Sequence, residues 1–127
     1  MVNYLIIVNP KKLLVNAMSK IFPKMITNLP EADVPLEGVK AYLSQSDKHQ
    51  VIFMEFEKDV YLPEHSHEAQ WEYVLNGKVD LWVDGEKHTY EKGDNFFIPK
   101  GVNHSGKIYA GYTSVAFFNQ KDRYKKK

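Results

Sequence analysis

The sequence predicts an all-β domain built as a sandwich or a barrel, and three features carry that prediction. Short runs of β-branched and aromatic residues recur at intervals of roughly ten residues, which is typical of these folds. Asn76-Gly77 and Asp84-Gly85 each lie between strand-like runs, and both dipeptides tolerate the positive φ that tight hairpins need. Between them Val79, Leu81 and Val83 alternate with other residues, so one face of that strand should be core and the other wet or covered.

The first 24 residues are predicted to form an N-terminal extension that is either a short helix or disordered. Apolar residues from Leu13 to Ile21 recur at roughly helical spacing, so one reading is an amphipathic helix ending before Pro23. The apolar run from Tyr4 to Val8 is too short to span a bilayer, and positive charges follow it instead of preceding it as in a secretory signal. We therefore predict no membrane span, no export and a cytoplasmic location.

The β domain is predicted to occupy residues 25–120. It opens with an extended lead-in that contains two prolines, followed by runs with strand character. The lead-in is Leu29–Leu36, and the predicted strands outside the region discussed above include Val39–Gln45, Gln50–Glu57, His88–Tyr90, Asn95–Ile98, Ile108–Tyr112 and Thr113–Asn119. Residues 121–127 form a charged C-terminal tail that we expect to fray.

Composition narrows the possible functions. A chain of 127 residues can bury one core but hardly two, and a net charge of +1 implies no strongly acidic or basic partner. The absence of cysteine excludes disulfides, thiolate catalysis and thiolate-rich zinc sites. No stretch combines basic and aromatic residues as a nucleic-acid platform would, and no glycine-rich phosphate loop or serine nucleophile elbow is present. A small-molecule ligand is therefore the predicted partner.

Three histidines are the candidate metal ligands. His65 and His67 lie one residue apart, and on a strand such residues point to the same side, within reach of one ion. Further along, Pro99 and Gly101 form a Pro-x-Gly turn, and His104 follows it as a third imidazole. The rest of the chain is predicted to bring His104 up beside the other two.

These two stretches resemble the two signature motifs of the cupin superfamily, G-x5-H-x-H-x3/4-E-x6-G and G-x5-P-x-G-x2-H-x3-N. The second motif matches from Gly93 through Pro99 and Gly101 to His104. It fails only at its last place, where Ile108 replaces Asn. A lone H-x-H is weak evidence, but two motifs in order, separated by strand-like sequence, are strong evidence.

The first motif departs from the family pattern. Asp59 stands at the opening Gly and, counting back from Gly77, Gln70 stands at the Glu place. His67 is only three residues ahead of Gln70, fewer than usual. The resemblance covers roughly residues 25–120 and implies an RmlC-like jelly-roll barrel, the double-stranded β-helix of cupins. It also implies a metal centre whose ligands are His65, His67, Gln70 and His104.

The ligand types bear on which metal and which substrate such a site would take. Three imidazoles suit zinc, iron, nickel, copper or manganese and leave positions open for an oxygen ligand and for substrate. We therefore predict one divalent transition metal as cofactor. Because Gln70 would contribute a neutral amide oxygen, the ion would keep its full charge and favour an anionic ligand such as a carboxylate.

Glu72 complicates this assignment because it lies two residues beyond Gln70 and should face the same interior. A carboxylate buried in a barrel is costly unless it is paired or bound to metal. Three readings follow: Glu72 ligates the metal in place of Gln70, it acts behind the ligands as a base or an orienting group, or a bulge turns it outward. We favour the second reading, which makes Glu72 the candidate catalytic residue.

Three functions are compatible with these residues. The first is a metal-dependent enzyme, for example a lyase or isomerase, that acts on a carboxylate-bearing metabolite or sugar acid. The second is a non-catalytic ligand-binding module or a metal-stabilised scaffold, and the third is an iron-dependent dioxygenase. Small cupins commonly pair as homodimers, and the aromatic content is compatible with such pairing. Trp71, Tyr73 and Trp82 could stack on a ligand or form a core or subunit contact, whereas His49 and His88 are predicted surface residues.

Overall fold

The computed structural model describes residues 21–127, which fold almost entirely into β structure. Within residues 21–127, one short helix, α1 (Lys24–Thr27), precedes nine strands. The strands are β1 (Val39–Gln45), β2 (Gln50–Phe56), β3 (Val60–His65), β4 (Gln70–Asn76), β5 (Lys78–Val83), β6 (Glu86–Glu91), β7 (Asn95–Ile98), β8 (His104–Ile108) and β9 (Thr113–Phe118). The all-β prediction is confirmed, while the helix predicted before Pro23 lies, apart from its last residue, outside the described residues. Within residues 21–127 no helix is long and apolar enough to cross a bilayer.

The strands form two antiparallel sheets. The first has the order β1-β2-β9-β4-β7 and the second the order β3-β8-β5-β6. Consecutive strands mostly lie in different sheets and, apart from the pairs β1–β2 and β5–β6, the paired strands of each sheet come from distant parts of the chain. This is the predicted jelly roll, and it brings chain segments that are far apart in sequence to the same end of the domain.

The core lies between the two sheets and follows the period-two burial expected of strands. In β2 every second side chain is buried, from Gln50 to Phe56, and β4 alternates in the same way over its first residues. Phe96 and Phe97 illustrate the rule, because Phe96 is buried in the core whereas Phe97 points outward with 62% of its surface exposed. In β2, β4 and β7 one face is therefore directed to the interior, and on β4 this face carries part of the site.

The two hairpin predictions have opposite outcomes. Asp84-Gly85 is the predicted two-residue turn, with positive φ at both residues and β5 paired directly to β6. The hairpin predicted at Asn76-Gly77 is wrong, because β4 and β5 belong to different sheets and the chain crosses between them there. A Cβ on Gly77 would lie 2.7 Å from the Cα of Tyr112, so the crossing requires glycine for its close backbone approach as well as for its φ of 78°.

A second correction concerns the strand predicted at Ile108–Tyr112. The strand ends at Ile108, and the chain turns at Gly111, whose φ is 93°. The backbone N–H of Gly111 donates to the carbonyl of Phe56 at 2.8 Å, which fixes the turn against β2. Beyond Ile108, the residues of this stretch therefore form a turn and not a continuation of the strand.

The C-terminal tail is held against the domain, so the expectation that it frays is wrong. The side chain of Gln50, fully buried, donates to the carbonyl oxygens of Lys121 at 3.0 Å and Tyr124 at 2.7 Å. It also accepts the backbone N–H of Tyr124 at 3.0 Å. Further along, the backbone N–H of Lys127 donates to the lead-in before β1. These bonds tie residues 121–127 across one end of the barrel.

Candidate metal centre

The three predicted histidines meet at the cavity between the sheets. His65 is the last residue of β3 and His104 the first of β8, and the two are directly paired across these strands. One ligand nitrogen from each of His65, His67 and His104 lies within 4.8 Å of the others. The ring centroids are 4.3 Å apart for His65 and His104 and 4.8 Å for His67 and His104. This spacing suits three ligands around one ion.

His67 reaches the site through a loop, which differs from the expectation that strand alternation places it there. β3 ends at His65, so His67 lies beyond the sheet. Its carbonyl accepts the backbone N–H of Gly101 at 3.0 Å, and Lys100 pairs with Glu68 at 3.4 Å. The Pro-x-Gly turn thus holds the loop that carries His67 as well as positioning His104.

The second ring nitrogen of each histidine fixes its orientation. The Nδ1 atoms of His65, His67 and His104 lie 2.8, 2.7 and 3.0 Å from the backbone carbonyls of Pro63, Glu68 and Val102. A carbonyl only accepts hydrogen bonds, so each Nδ1 must carry the proton and each Nε2 keeps its lone pair. This is the arrangement that metal-ligating histidines usually show, and it makes the trio fit a transition metal.

Gln70 and Glu72 lie side by side on the inward face of β4, and both are buried. The Nε2 of Gln70 donates to Oε1 of Glu72 at 2.7 Å, and the hydroxyl of Tyr112 donates to Oε2. The reading in which a bulge turns Glu72 outward is wrong, because the irregularity in β4 falls later, between Val74 and Asn76. Since the amide nitrogen of Gln70 is engaged by Glu72, its oxygen is the atom left for a metal.

Burial sets the protonation of the site. Burial is the largest of the effects that lower the pKa of His67 to about 4; the nearby charges of Arg123, His104 and His65 add to it, and a backbone hydrogen bond to Glu68 opposes it. Burial also lowers the pKa of His104. The same burial raises the pKa of Glu72 although Tyr112 and Gln70 donate to it. Two imidazoles are therefore held neutral, as metal ligation requires, next to a carboxyl that takes up a proton more readily than usual.

The cavity at this site has a volume of about 60 Å³ and is lined by residues of both sheets, including the three histidines, Gln70 and Glu72. Sequence reasoning missed two further lining residues, Arg123 and Tyr124, because they belong to the tail that was expected to fray. A signal was nevertheless present. Of the 17 lysine and arginine residues of the chain, Arg123 is the only arginine.

The remaining candidates lie away from the site. His49 stacks on Phe117 and His88 on Tyr90, and neither lines the cavity. Trp71, Tyr73 and Trp82 are also absent from its lining. Trp71 and Tyr73 point outward from β4, with 40% and 36% of their surface exposed. Stacking of these aromatic side chains on a ligand in the cavity is therefore excluded by their position.

Comparison with known proteins agrees with this geometry. A family model described as a cupin domain matches residues 52–111, which include His65, His67 and His104. The chain belongs to the cupin superfamily. This cupin is also 30% identical over 80 residues to quercetin 2,3-dioxygenase of Bacillus subtilis, an alignment that covers 61% of this chain and 24% of that enzyme. The chain spans less than half of the length of the curated relatives it matches.

Solved cupin structures share its fold at low sequence identity. An RmlC-like cupin from Shewanella frigidimarina has a TM-score of 0.64 and 24% identity, covering 76% of this chain and 87% of that one. KdgF from Halomonas has a TM-score of 0.61 and 20% identity, covering 72% and 87%. A variant of oxalate decarboxylase from Bacillus subtilis has a TM-score of 0.61 and 18% identity, covering 76% and 28%. These likenesses establish the fold alone.

Proposed function

We propose that this cupin holds one divalent transition metal, zinc, iron, nickel or manganese, and uses it to bind or convert a small anionic metabolite, a carboxylate or sugar acid. The ligands we assign are His65, His67, Gln70 and His104. One observation carries the proposal: three Nε2 lone pairs, fixed by hydrogen bonds at Nδ1, converge in one cavity. Imidazole and amide ligands are neutral, so the ion would attract an anion to its open positions.

Glu72 has two roles in this proposal. By accepting the amide hydrogen of Gln70 it leaves the amide oxygen for the metal, and because burial raises its pKa it can take up and release a proton as general acid or base. When bound, the metal supplies Lewis-acid chemistry, which polarises a carbonyl or fixes a carboxylate. Glu72 then exchanges the proton with the bound ligand, as a lyase or isomerase would require.

The similar proteins support a small ligand for this site, and two alternatives to the proposed lyase or isomerase activity stay open. Solved structures of Bacillus subtilis oxalate decarboxylase, one of them concerned with its Mn(II) centres, share this fold. Oxalate is a small dicarboxylate, and a cavity of about 60 Å³ suits a ligand of that size. The match to quercetin 2,3-dioxygenase favours dioxygenase activity as a second candidate. The third is a metal-dependent binding module without catalysis.

Elemental analysis of the full chain, purified without added metal and without a histidine tag, tests the metal centre. We expect about one transition metal ion per chain in the wild type, and loss of most of it in His67→Ala and His104→Ala, because each variant removes one of the proposed ligands. His88→Ala, which changes a histidine outside the cavity, should retain the metal. A wild-type protein that binds none of zinc, iron, nickel or manganese would refute the metal centre.

Glu72→Gln separates an enzyme from a binding module. With a panel of small carboxylates and sugar acids, the variant should retain metal and ligand binding but lose turnover by about 100-fold or more if Glu72 transfers a proton. Equal turnover of the wild type and variant would remove Glu72 from the chemistry. Oxygen consumption that depends on iron loading and on substrate would instead select the dioxygenase.

We further propose that two copies of this cupin pair through the outer face of the first sheet, around Trp71, Tyr73, Phe97 and Phe117. These four aromatic side chains are exposed, with between 36% and 62% of their surface accessible. Contiguous exposed aromatic surface is typical of protein interfaces. The proposal is independent of the metal centre, which lies on the inner face.

A further inference from the structure

Arg123 is held firmly beside the metal centre by the tail that carries it. The buried side chain of Gln50 bonds to the backbone of Lys121 on one side and of Tyr124 on the other. The guanidinium lies over the rings of Tyr124 and Phe118, 4.6 and 5.6 Å from their centroids. Backbone and side chain are thus both fixed, which lowers the entropy cost of binding a ligand there.

This guanidinium has no counterion within residues 21–127. None of the ion pairs in this part of the chain includes Arg123, and its Nε, which is buried, has no hydrogen-bond partner there. The side chain as a whole is only partly buried, but burying one charged N–H donor without giving it an acceptor is costly. Residues 21–127 therefore leave the Nε of Arg123 unsatisfied, and an anion in the cavity would supply its missing acceptor.

The charges around the cavity also favour an anionic ligand. Arg123 lines the cavity together with His65, His67 and His104, and its charge acts on His67 and His104. Among the described residues, Glu72 is the only acidic one in the lining, and it already accepts hydrogen bonds from two other side chains. A divalent ion on neutral ligands would add to the positive charge of Arg123. Together they form a site with two positive poles.

We propose that Arg123 binds a carboxylate group of the ligand while the metal holds another part of the same molecule. This inference rests on the proposed metal centre and deepens it by assigning the residue that recognises the anion. A guanidinium presents a planar set of donors that matches a carboxylate, which a lysine does not. This accounts for a single arginine at this position in a chain that otherwise uses lysine.

The test titrates pyruvate into the cobalt(II)-loaded full chain and follows the visible absorption of the metal. Methyl pyruvate, which lacks the charge, and inorganic phosphate serve as comparison ligands. We expect Arg123→Gln to keep cobalt but to bind pyruvate about 10- to 100-fold more weakly, which is the range for losing a charge-assisted hydrogen-bond pair. The pyruvate affinity of Arg123→Lys should lie between those of the wild type and Arg123→Gln, because lysine keeps the charge without the planar donors.

Lys121→Gln is the matched control, since it removes one positive charge from the same segment at an exposed side chain. It should bind pyruvate like the wild type, and methyl pyruvate should bind weakly to every variant. Pyruvate affinity within twofold of wild type in Arg123→Gln, loss of cobalt in both Arg123 variants, or a stronger Arg123 dependence for phosphate would overturn the inference while the metal centre stands. A wild-type protein that binds cobalt but no pyruvate refutes a carboxylate ligand at this site, and one that binds neither cobalt nor zinc, iron, nickel or manganese refutes the metal centre.

Discussion

Gln70 stands where the cupin motif has Glu, and its neighbour Glu72 gives a physical reason. The buried carboxylate of Glu72 accepts hydrogen bonds from the amide of Gln70 and the hydroxyl of Tyr112. A carboxylate at position 70 could donate nothing while ionised, and two carboxylates at this distance cannot both ionise without a large penalty. Positions 70 and 72 therefore form a stable hydrogen-bonded pair when one carries an amide and the other a carboxyl group.

This reasoning predicts that Gln70→Glu destabilises the metal-free protein at neutral pH. We expect a loss of about 1–3 kcal/mol, because a buried acceptor loses its donor and gains a like charge. The double variant Gln70→Glu/Glu72→Gln restores one amide and one acid and should recover most of the loss. Urea unfolding of the wild type, both single variants and the double variant measures the coupling.

Gln70→Met is the control, because it removes the amide donor without adding charge. It should cost less than Gln70→Glu at neutral pH, and the difference should shrink when the added carboxyl is protonated in acid. Simple additivity of the two single substitutions in the double variant would contradict the proposed coupling between positions 70 and 72.

At the scale of elements, the outward face of β5 carries a second buried acid, Asp80, which is 4% exposed. Its carboxylate accepts hydrogen bonds from Thr89 at 2.7 Å and Tyr109 at 2.6 Å, which tie β5 to β6 and to the turn after β8. Burial alone would raise the pKa of Asp80, but these bonds together with Lys87 and Lys78 bring it below its usual range. The sequence predicted that the second face of β5 is either wet or covered; at Asp80 it is covered, by the polar contacts with Thr89 and Tyr109.

Asp80→Asn is predicted to lower the free energy of unfolding by about 1–3 kcal/mol at pH 7. Because the folded pKa of Asp80 is depressed, the unfolded chain takes up the proton first on acidification. The stabilisation is therefore complete above the ordinary pKa of 3.8 and declines as the pH falls through it toward the folded value. Urea unfolding at pH 7, 5 and 3.5 should show that the difference in unfolding free energy between wild type and variant becomes smaller as the pH falls.

Asp84→Asn provides the comparison, since Asp84 is exposed at the β5–β6 turn and asparagine also tolerates its φ of 51°. It should change stability by no more than about 0.5 kcal/mol at any of these pH values. A gap for Asp80→Asn that is the same at all three pH values would show that the packing of the side chain, and not its charge, stabilises the sheet.

The elements also show what local sequence can predict. β1 and β7 begin and end where their residue patterns indicated, because strand-forming residues bounded by turn residues are a local signal. The hairpin prediction at Asn76-Gly77 failed because this dipeptide indicates only the local backbone conformation. It does not indicate which strand pairs with β5, and β5 pairs in the other sheet. The histidines were found because the family motif fixes their spacing. Arg123 was missed because its position depends on contacts between Gln50 and the tail, 71 and 74 residues apart in sequence.

At the scale of the whole molecule, the two faces of the first sheet have different surroundings. The inner face lines the core and the cavity, whereas the outer face presents Trp71 paired in register with Phe97 on one side and Phe117 on the other. Phe22 already packs on the β1–β2 part of the outer face, 5.6 Å from Phe53 between ring centroids. The remaining aromatic row on β7, β4 and β9 is the surface proposed to pair with a second copy.

Phe97→Lys is predicted to convert a dimer into a monomer. Phe97 lies on the edge strand β7 with 62% of its surface exposed, so a lysine there places a charge in the proposed interface without disturbing the core. Light scattering should give twice the chain mass of 14.8 kDa for the wild type and the chain mass itself for the variant. Tyr61→Lys, on the other sheet and 69% exposed, should leave the dimer intact. A monomeric wild type, or a Phe97→Lys variant that remains dimeric at the same concentration, would exclude this face as the interface.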